Sequence, residues 1–427
     1  MAAPTDRPPA VDARTWIGVV IVAAAALTVL GLVALWPRGD APEIDPLPQI
    51  YVDGTIAEST SRDTCSDIEY FTPVDCVTYD VQLSSGPDRG TTVQFSVRPT
   101  QTEIPDLAEG DDIVLRHFPE SPPEFRYAFS DFQRSTPMLW LLAAFVIVVL
   151  AFGRLQGLRA LVGLGLSLAV LVTFVVPALL RDSSPLMVAL VGSAAVAFLA
   201  IYIAHGIGIT STIALAGTLA SLAVTSLLAV VVATTTQLSG LASQEAQTLR
   251  MTAEALDLRG LLLAGIVIGA LGVLDDVTVS QVSTVAALRR ANPRLGTRAL
   301  YTEANRVGRD HVASAVNTLV LAYAGAALPL LLFFAQGNQP LGRLLTGELV
   351  AVEIVRMLVG SIGLVISVPV TTFLAALLLT RTDDIPADDG HGHHHSPTPL
   401  PAPVRDHTGP AAWPAPPPPG EDIKPWF

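Results

Sequence analysis

Apolar runs of about 20 residues recur along the chain, and each is long enough to cross a hydrocarbon layer about 30 Å thick as a helix. Eight such runs occur at 16–36, 137–152, 158–180, 185–204, 208–233, 258–274, 312–334 and 357–379. Only 15% of the 427 residues are charged, whereas a soluble protein usually carries about a quarter. The sequence therefore predicts an all-α transmembrane bundle of about eight helices in a multi-pass membrane protein.

The runs divide the chain into five parts. We predict a cytoplasmic tail at 1–15, a first transmembrane helix at 16–36, an extracytoplasmic β-domain at 37–136, a seven-helix membrane domain at 137–381 and a disordered Pro- and His-rich cytoplasmic tail at 382–427. A cleaved signal peptide is the competing interpretation of the first run. Leu35-Trp36-Pro37 is a poor cleavage site, which favours an uncleaved helix.

Arginine placement in short loops predicts the orientation. Arg154 and Arg159 separate the second and third runs, and six arginines between 289 and 309 separate the sixth and seventh. If the helices alternate, both loops lie on one side together with both termini. We interpret that side as the cytoplasm of a bacterial cell, with the bundle in its plasma membrane and the lipid bilayer as its main partner.

The segment between Arg38 and Arg134 contains 7 Arg and 19 Asp plus Glu, which indicates a solvated acidic surface. Four short alternating segments, at 50–52, 76–81, 92–97 and 112–115, predict strands of a small OB-like barrel. Cys65 and Cys76 lie in the compartment where disulfides persist, so we predict a bridge, with two unpaired thiols as the alternative. This domain is a candidate binding surface for an extracytoplasmic protein partner.

Several classes of function are disfavoured. No basic stripe is large enough to neutralise a run of phosphates, so nucleic acid is not an expected partner. Motifs typical of enzymes are missing from the sequence, and we therefore predict no catalytic residue and no cofactor. The histidines at 391 and 393–395 have the chemistry of transition-metal ligands, but a low-complexity tail is the simpler interpretation, so no metal site is predicted.

Polar residues at membrane depth are the strongest functional signal, because an ionisable group there normally faces the bundle interior. In the sixth run, Gly265, Gly269 and Gly272 form a small-residue face that predicts close helix packing. The residues that follow have hydrogen-bonding or carboxylate side chains, which suit a hard cation or a proton. They are Asp275, Asp276, Thr278, Ser280 and Gln281. The alternative is that Asp275 and Asp276 form an ordinary acidic helix end solvated by water on the cytoplasmic side.

The seventh run is entered through a second polar group. Asp310, Ser314 and Asn317 are spaced i, i+4, i+7 and fall on one helical stripe, with His311 alongside. The imidazole of His311 is the side chain here whose ordinary pKa is near neutrality. A proton relay through Asp310 or His311 is one interpretation, and helix–helix hydrogen bonding is the other.

Three patterns in this region resemble the YibE/F-like family of bacterial multi-pass membrane proteins. They are GALGVLDDVT at 269–278, GRDH at 308–311 and NTLVLAYAG at 317–325, and most of 51–381 is compatible with the family. The resemblance implies a membrane protein for which transport is presumed. It implies no catalytic or substrate-binding residue.

The leading hypothesis is a transporter or permease whose polar path lies between the sixth and seventh runs. A non-transporting scaffold for cell-envelope assembly or regulation, which uses the β-domain to bind a partner, is the alternative. An intramembrane enzyme is less favoured, since the adjacent Asp275 and Asp276 point about 100° apart on a helix. The substrate and the oligomeric state stay open from sequence.

Overall fold

A computed structural model describes residues 13–38, 50–66, 73–97, 104–122, 125–181, 183–252, 256–335 and 340–381. A helix is followed by a small β-sheet and then by a bundle of helices, in the order predicted from the sequence. The proposed tail at 382–427, including its histidines, lies outside the described residues. Its predicted disorder therefore stays a prediction.

The helices are α1 (Ala13–Leu35), α2 (Ser135–Val170), α3 (Val176–Leu179), α4 (Pro185–His205), α5 (Ile209–Thr235), α6 (Gln244–Thr252), α7 (Leu258–Ala291), α8 (Thr297–Ala326), α9 (Leu328–Ala335), α10 (Leu341–Thr346) and α11 (Glu348–Leu379). In the described chain, six helical segments are long and apolar enough to cross a membrane. The α8–α9 pair, bent by 60°, provides a seventh if it counts as one span. The chain is therefore a multi-pass membrane protein.

One of these segments contains a break. Ser135–Leu179 runs for 45 residues through α2, the π-helical turn Leu171–Val175 and α3. A straight helix of that length would reach about 68 Å, more than twice the hydrocarbon thickness. Arg154 leaves the helical conformation with φ 47° and ψ −126°, and a Cβ at Gly157 would collide with the carbonyl oxygen of Val149. The chain bends sharply at Arg154, between the predicted runs 137–152 and 158–180.

Helix α7 is the centre of the bundle, since it packs against α4, α5, α8 and α11. Its start is defined by Asp257, whose side chain accepts a hydrogen bond from the Gly260 amide at 2.9 Å, as an N-cap does. Apolar side chains such as Ile266, Val267 and Leu274 are fully buried along it. The helix continues past the predicted apolar run to Ala291, so both aspartates lie inside the helix.

The sheet has five antiparallel strands, β1 (Ile50–Ser66), β2 (Pro73–Leu83), β3 (Thr92–Val97), β4 (Asp112–His117) and β5 (Tyr127–Phe132), in the order β3-β2-β1-β4-β5. Gly54 of β1 lies opposite Leu83 on one side and Ile113 on the other. Strands β3 and β5 form the two edges and contact each other, so the sheet is curled. Its core includes Val52, Val81 and Leu115.

The two cysteines lie on paired strands, where Cys65 is opposite Val74 and Cys76 is opposite Arg62 in the backbone register. The side chains of 61–66 and 73–76 lie outside the described part of the structure. The disulfide between Cys65 and Cys76 therefore remains a prediction.

Candidate functional site: a buried polar seam

The bundle contains a group of buried polar side chains where α5, α7 and α11 meet. We call this group the polar seam. Its eight members are Thr218, Ser221 and Thr225 on α5, Thr278 and Gln281 on α7, and Ser367, Thr371 and Thr372 on α11. Each is at most 4% exposed. Because lipid and apolar side chains offer no hydrogen bonds, these polar groups depend on their own and neighbouring helices for partners.

Two threonines join α5 to α7. The hydroxyl oxygens of Thr218 and Thr278 lie 2.6 Å apart. Each hydroxyl is also within reach of a carbonyl on its own helix, that of Ala214 at 3.0 Å for Thr218 and that of Asp275 at 3.0 Å for Thr278. Since a hydroxyl carries one proton, each can either donate to its own carbonyl or donate across the interface. The pair therefore has two hydrogen-bonding arrangements.

Gln281 joins three helices. Its side-chain amide donates to the carbonyl of Ala304 on α8 at 2.9 Å and to the hydroxyl of Thr372 on α11 at 2.8 Å. Gly308 makes room for this side chain, since a Cβ there would stand 2.7 Å from Oε1 of Gln281 and 2.6 Å from Val368. This contact explains the glycine of the Gly308-Arg309-Asp310-His311 segment.

Helices α5 and α11 interlock through the same pattern, Gly-x3-Ser-x3-Thr, at 217–225 and 363–371. A Cβ at Gly217 would stand 2.5 Å from the hydroxyl oxygen of Thr371, and a Cβ at Gly363 would collide with that of Thr225. The helices run antiparallel, so the glycine of each faces the threonine of the other. By this register Ser221 and Ser367 lie level with each other midway between the two contacts.

Two hydroxyls of the seam lack hydrogen-bond partners among the described residues. The oxygens of Ser221 and Thr371 are buried and form no hydrogen bond with any described residue. By contrast, Thr225 donates to the Ser221 carbonyl at 2.8 Å and Ser367 donates to the Leu364 carbonyl at 2.8 Å. A buried polar group without a partner costs about 1–3 kcal/mol. Ser221 and Thr371 therefore hold hydrogen-bonding capacity that the described chain does not use.

Asp275 and Asp276 lie near the middle of the bundle. One turn from Asp275, Thr278 contacts Thr218, and at the other end of α7 Arg259 donates to the Ala233 carbonyl at 2.9 Å. Asp275 is consequently level with the middle of α5. It is half-buried, and its Oδ1 is enclosed without a hydrogen-bond partner among the described residues.

The remaining predicted path residues on α7 lie in two different environments, outside the seam and within it. Asp276 is exposed, and Ser280 is half-buried with its hydroxyl donating to the Val277 carbonyl at 3.0 Å. Thr278 and Gln281 belong to the polar seam. The sequence thus pointed to two seam residues on α7, whereas the six on α5 and α11 were missed. The shared Gly-x3-Ser-x3-Thr pattern was the available signal.

The predicted stripe on α8 does not join the seam. Asp310, His311, Ser314 and Asn317 are all exposed. The buried side of α8 carries Leu300, Ala304 and Gly308, and continues through Val312, Ala315 and Val316, which pack on α7 and α11. Asp310, Ser314 and Asn317 lie on the opposite side of α8, so the structure does not bring them together with Asp275 and Asp276.

The predicted small-residue face of α7 is open within the chain. Gly265, Gly269 and Gly272 are exposed, and a Cβ built at Gly265 or Gly272 would meet no atom within 4 Å. At Gly269 the nearest atom would be the hydroxyl oxygen of Tyr323, at 3.5 Å. These glycines therefore pack tightly against no helix in the described chain, where the sequence predicted close helix packing.

Comparison with known proteins identifies the membrane domain. The family model described as YibE/F-like protein matches residues 141–381, which include the polar seam and all three sequence patterns noted above. No curated protein and no solved structure matches the chain. The chain therefore belongs to the YibE/F-like family.

Proposed function

We propose that this protein is a transporter for a small cation or for protons, and that its path follows the polar seam. The observation that carries the proposal is the burial of eight polar side chains at the α5–α7–α11 contact, two of them with unpartnered hydroxyls. Ionisable groups inside a membrane bundle usually mark a path for ions or solutes, and Asp275 lies one turn from Thr278 of the seam.

The chemistry of the seam favours a cation over an anion. Hydroxyl and amide oxygens can replace part of a cation's hydration shell, and the two arrangements of the Thr218–Thr278 pair suit the relay of a proton. Of the two aspartates that precede Thr278, the half-buried one is Asp275, three residues before Thr278, and its carboxylate would attract positive charge. No described lysine or arginine belongs to the seam itself.

Asp275 replaces Asp310 and His311 as the proposed coupling group. The sequence favoured the α8 residues because their spacing formed a stripe. That stripe faces outward, whereas Asp275 is half-buried level with the middle of α5. Binding and release at Asp275 would be one step in the movement of the cation or proton along α5 and α11.

The test is flux in liposomes that contain the purified protein. A pH-sensitive dye reports dissipation of an imposed proton gradient, and a sodium- or potassium-sensitive dye reports the alkali cations. The proposal expects flux of at least one of these ions above that of protein-free liposomes. Asp275→Asn should abolish that flux, and Asp276→Asn, its exposed neighbour, should preserve most of it. No flux of any probe, or equal flux in the two variants, would overturn the proposal.

We further propose eight membrane spans with both termini in the cytoplasm. The bend at Arg154 supports two spans within Ser135–Leu179, and the bent α8–α9 pair supports one more. Together with α1, α4, α5, α7 and α11 these make eight. An even number returns the chain to its starting side, which agrees with the arginine-rich loops.

The β-domain supports a second candidate role, the binding of an extracytoplasmic partner. Its strand order and the contact between its edge strands support the predicted OB type. The Nε atoms of Arg116, on β4, and of Arg126, next to β5, are buried without a hydrogen-bond partner in the described chain. Both N–H groups are therefore available to donate to an acidic group of the partner. Loss of cellular activity on deletion of 53–115, with full activity in Asp275→Asn, would favour the non-enzymatic scaffold over the transporter.

A further inference from the structure

We propose that a second copy of this chain packs against the exposed side of α8, which we call the α8 outer face. It consists of Asp310, Ala313, Ser314, Asn317, Leu321 and Ala324. All six residues are exposed, and they recur at the helical spacing of one continuous stripe. The dimer goes beyond the proposed transport path, because the seam lies on the other side of α8.

The α8 outer face extends along the membrane normal to about the middle of the bundle. Val312, Ala315 and Val316 on the inner side of α8 belong to the same packed cluster as Val273 and Val277 of α7. These two valines flank the segment of α7 that lies level with the middle of α5. Asn317, the residue after Val316, is therefore near mid-depth and faces away from its own bundle.

An amide in that position needs a partner that lipid cannot provide. The side chain of Asn317 makes no hydrogen bond within the described part of the chain, whereas the nearby Thr318 hydroxyl donates to the Ser314 carbonyl at 3.0 Å. Ala313, Ser314 and Ala324 are small, so another helix can approach the stripe closely. The α8 outer face thus has the composition of a helix–helix contact.

A second copy fits this face because the face is complementary to itself. A carboxamide both donates and accepts hydrogen bonds, so two Asn317 side chains related by a two-fold axis along the membrane normal satisfy each other. Nearer the helix start, the exposed Asp310 follows the exposed Arg309 and lies about one turn after the exposed Arg306. In the two-fold dimer, the Asp310 carboxylate of one copy would lie near the Arg306 guanidinium of the other. A symmetric dimer is also the commonest assembly of identical chains.

Cysteine cross-linking in native membranes tests the dimer. Ala313→Cys and Ala324→Cys keep Asn317 and place a thiol on each side of it along the helix. With an oxidant, both variants should form a disulfide-linked product of twice the chain mass, since equivalent residues meet at a two-fold axis. Gly272→Cys is the matched control, because it is equally exposed on α7 but lies outside the contact.

A second substitution tests the role of the amide. Asn317→Leu in the Ala313→Cys background should weaken association about three-fold or more, the size of one interhelical hydrogen bond in a membrane, and so lower the cross-linked fraction. Membrane content of each variant shows that the chain is still inserted. No doubled product from either alanine site, equal yield from Gly272→Cys, or a product of another mass would overturn the proposal. The last result would indicate a different protein as the occupant.

Discussion

The hydroxyl oxygens of Thr218 and Thr278 lie 2.6 Å apart, and both residues are fully buried between α5 and α7. This contact fixes the register of the two helices and places Asp275 level with the middle of α5. It also provides two exchangeable hydrogen-bonding arrangements inside a membrane bundle.

The first prediction concerns the energy of the threonine pair. Thr218→Val, Thr278→Val and the double variant form a double-mutant cycle whose unfolding is measured in detergent. We expect a coupling free energy of about 0.6–1.7 kcal/mol, because each threonine that remains can still donate to its own helix carbonyl. A coupling energy near zero would show that the two hydroxyls do not bond across the interface.

The second prediction concerns Gly308. Gly308→Ala should lower the melting temperature, since the new Cβ meets Gln281 and Val368 at 2.7 and 2.6 Å and such overpacking costs about 1–3 kcal/mol. Gly272→Ala is the matched control on an open helix surface, where alanine is favoured over glycine by about 1 kcal/mol. It should leave the melting temperature unchanged or raise it. A similar loss in both variants would mean that Gly272 is also closely packed.

The third prediction concerns the β-domain at high pH. Burial raises the pKa of Tyr127 to about 12, aided by the hydrogen bond that its hydroxyl donates to Asp88. Below pH 10 the tyrosine is protonated in the folded and the unfolded states, so the stabilisation is fully present. It is lost as pH rises from about 10, the ordinary pKa, to about 12.

Tyrosinate absorbance of the whole protein measures this shift. Subtracting the titration of Tyr127→Phe from that of the unaltered protein isolates one tyrosine, whose midpoint should be near 12. Asp88→Asn should move that midpoint down, because the acceptor loses its negative charge. A difference titration centred at about 10 would show that Tyr127 is neither buried nor hydrogen-bonded in solution.

The fourth prediction concerns topology. Alkaline phosphatase folds to an active form outside the cytoplasm, where its disulfides persist. A fusion at Gly86, in the β-domain, should be active, and a fusion at Asn292, between α7 and α8, should be inactive. The reverse pattern of activity would exchange the two sides of the membrane throughout the proposed orientation.

Sequence reasoning predicted the elements well because the membrane dictates them. A helix that crosses lipid needs a long apolar run, and the predicted runs lie largely within helices of the structure. The runs 137–152 and 158–180 form the two arms around Arg154, and 312–334 is divided between the bent pair α8 and α9. The strands were recognisable for a similar reason, since alternation along β4 puts Ile113 and Leu115 into the core. A fifth strand, Tyr127–Phe132, shows this alternation only weakly in its sequence.

Side-chain placement was much less predictable. The spacing of Asp310, Ser314 and Asn317 showed that they share a stripe, but only the packing of Val312 and Val316 reveals that the stripe faces outward. Threonine and serine hydroxyls can donate to a carbonyl one turn earlier in any helix. Their presence in an apolar run therefore does not by itself indicate a polar contact between helices, and the polar seam was missed. Their burial depends on which helices meet, and the sequence does not state this directly.

Transport along the polar seam is best tested by ion flux through liposomes that contain Thr278→Val, with Thr234→Val as the control. Both substitutions replace a hydroxyl by a methyl group of similar size. Thr278 is fully buried in the seam and contacts Thr218, whereas Thr234 is exposed on α5 and donates only to the Val230 carbonyl. The proposed path predicts a flux at least about ten-fold lower in Thr278→Val, a barrier increase of about 1.4 kcal/mol, and a normal flux in Thr234→Val. Equal flux in the two variants would contradict a path through the seam.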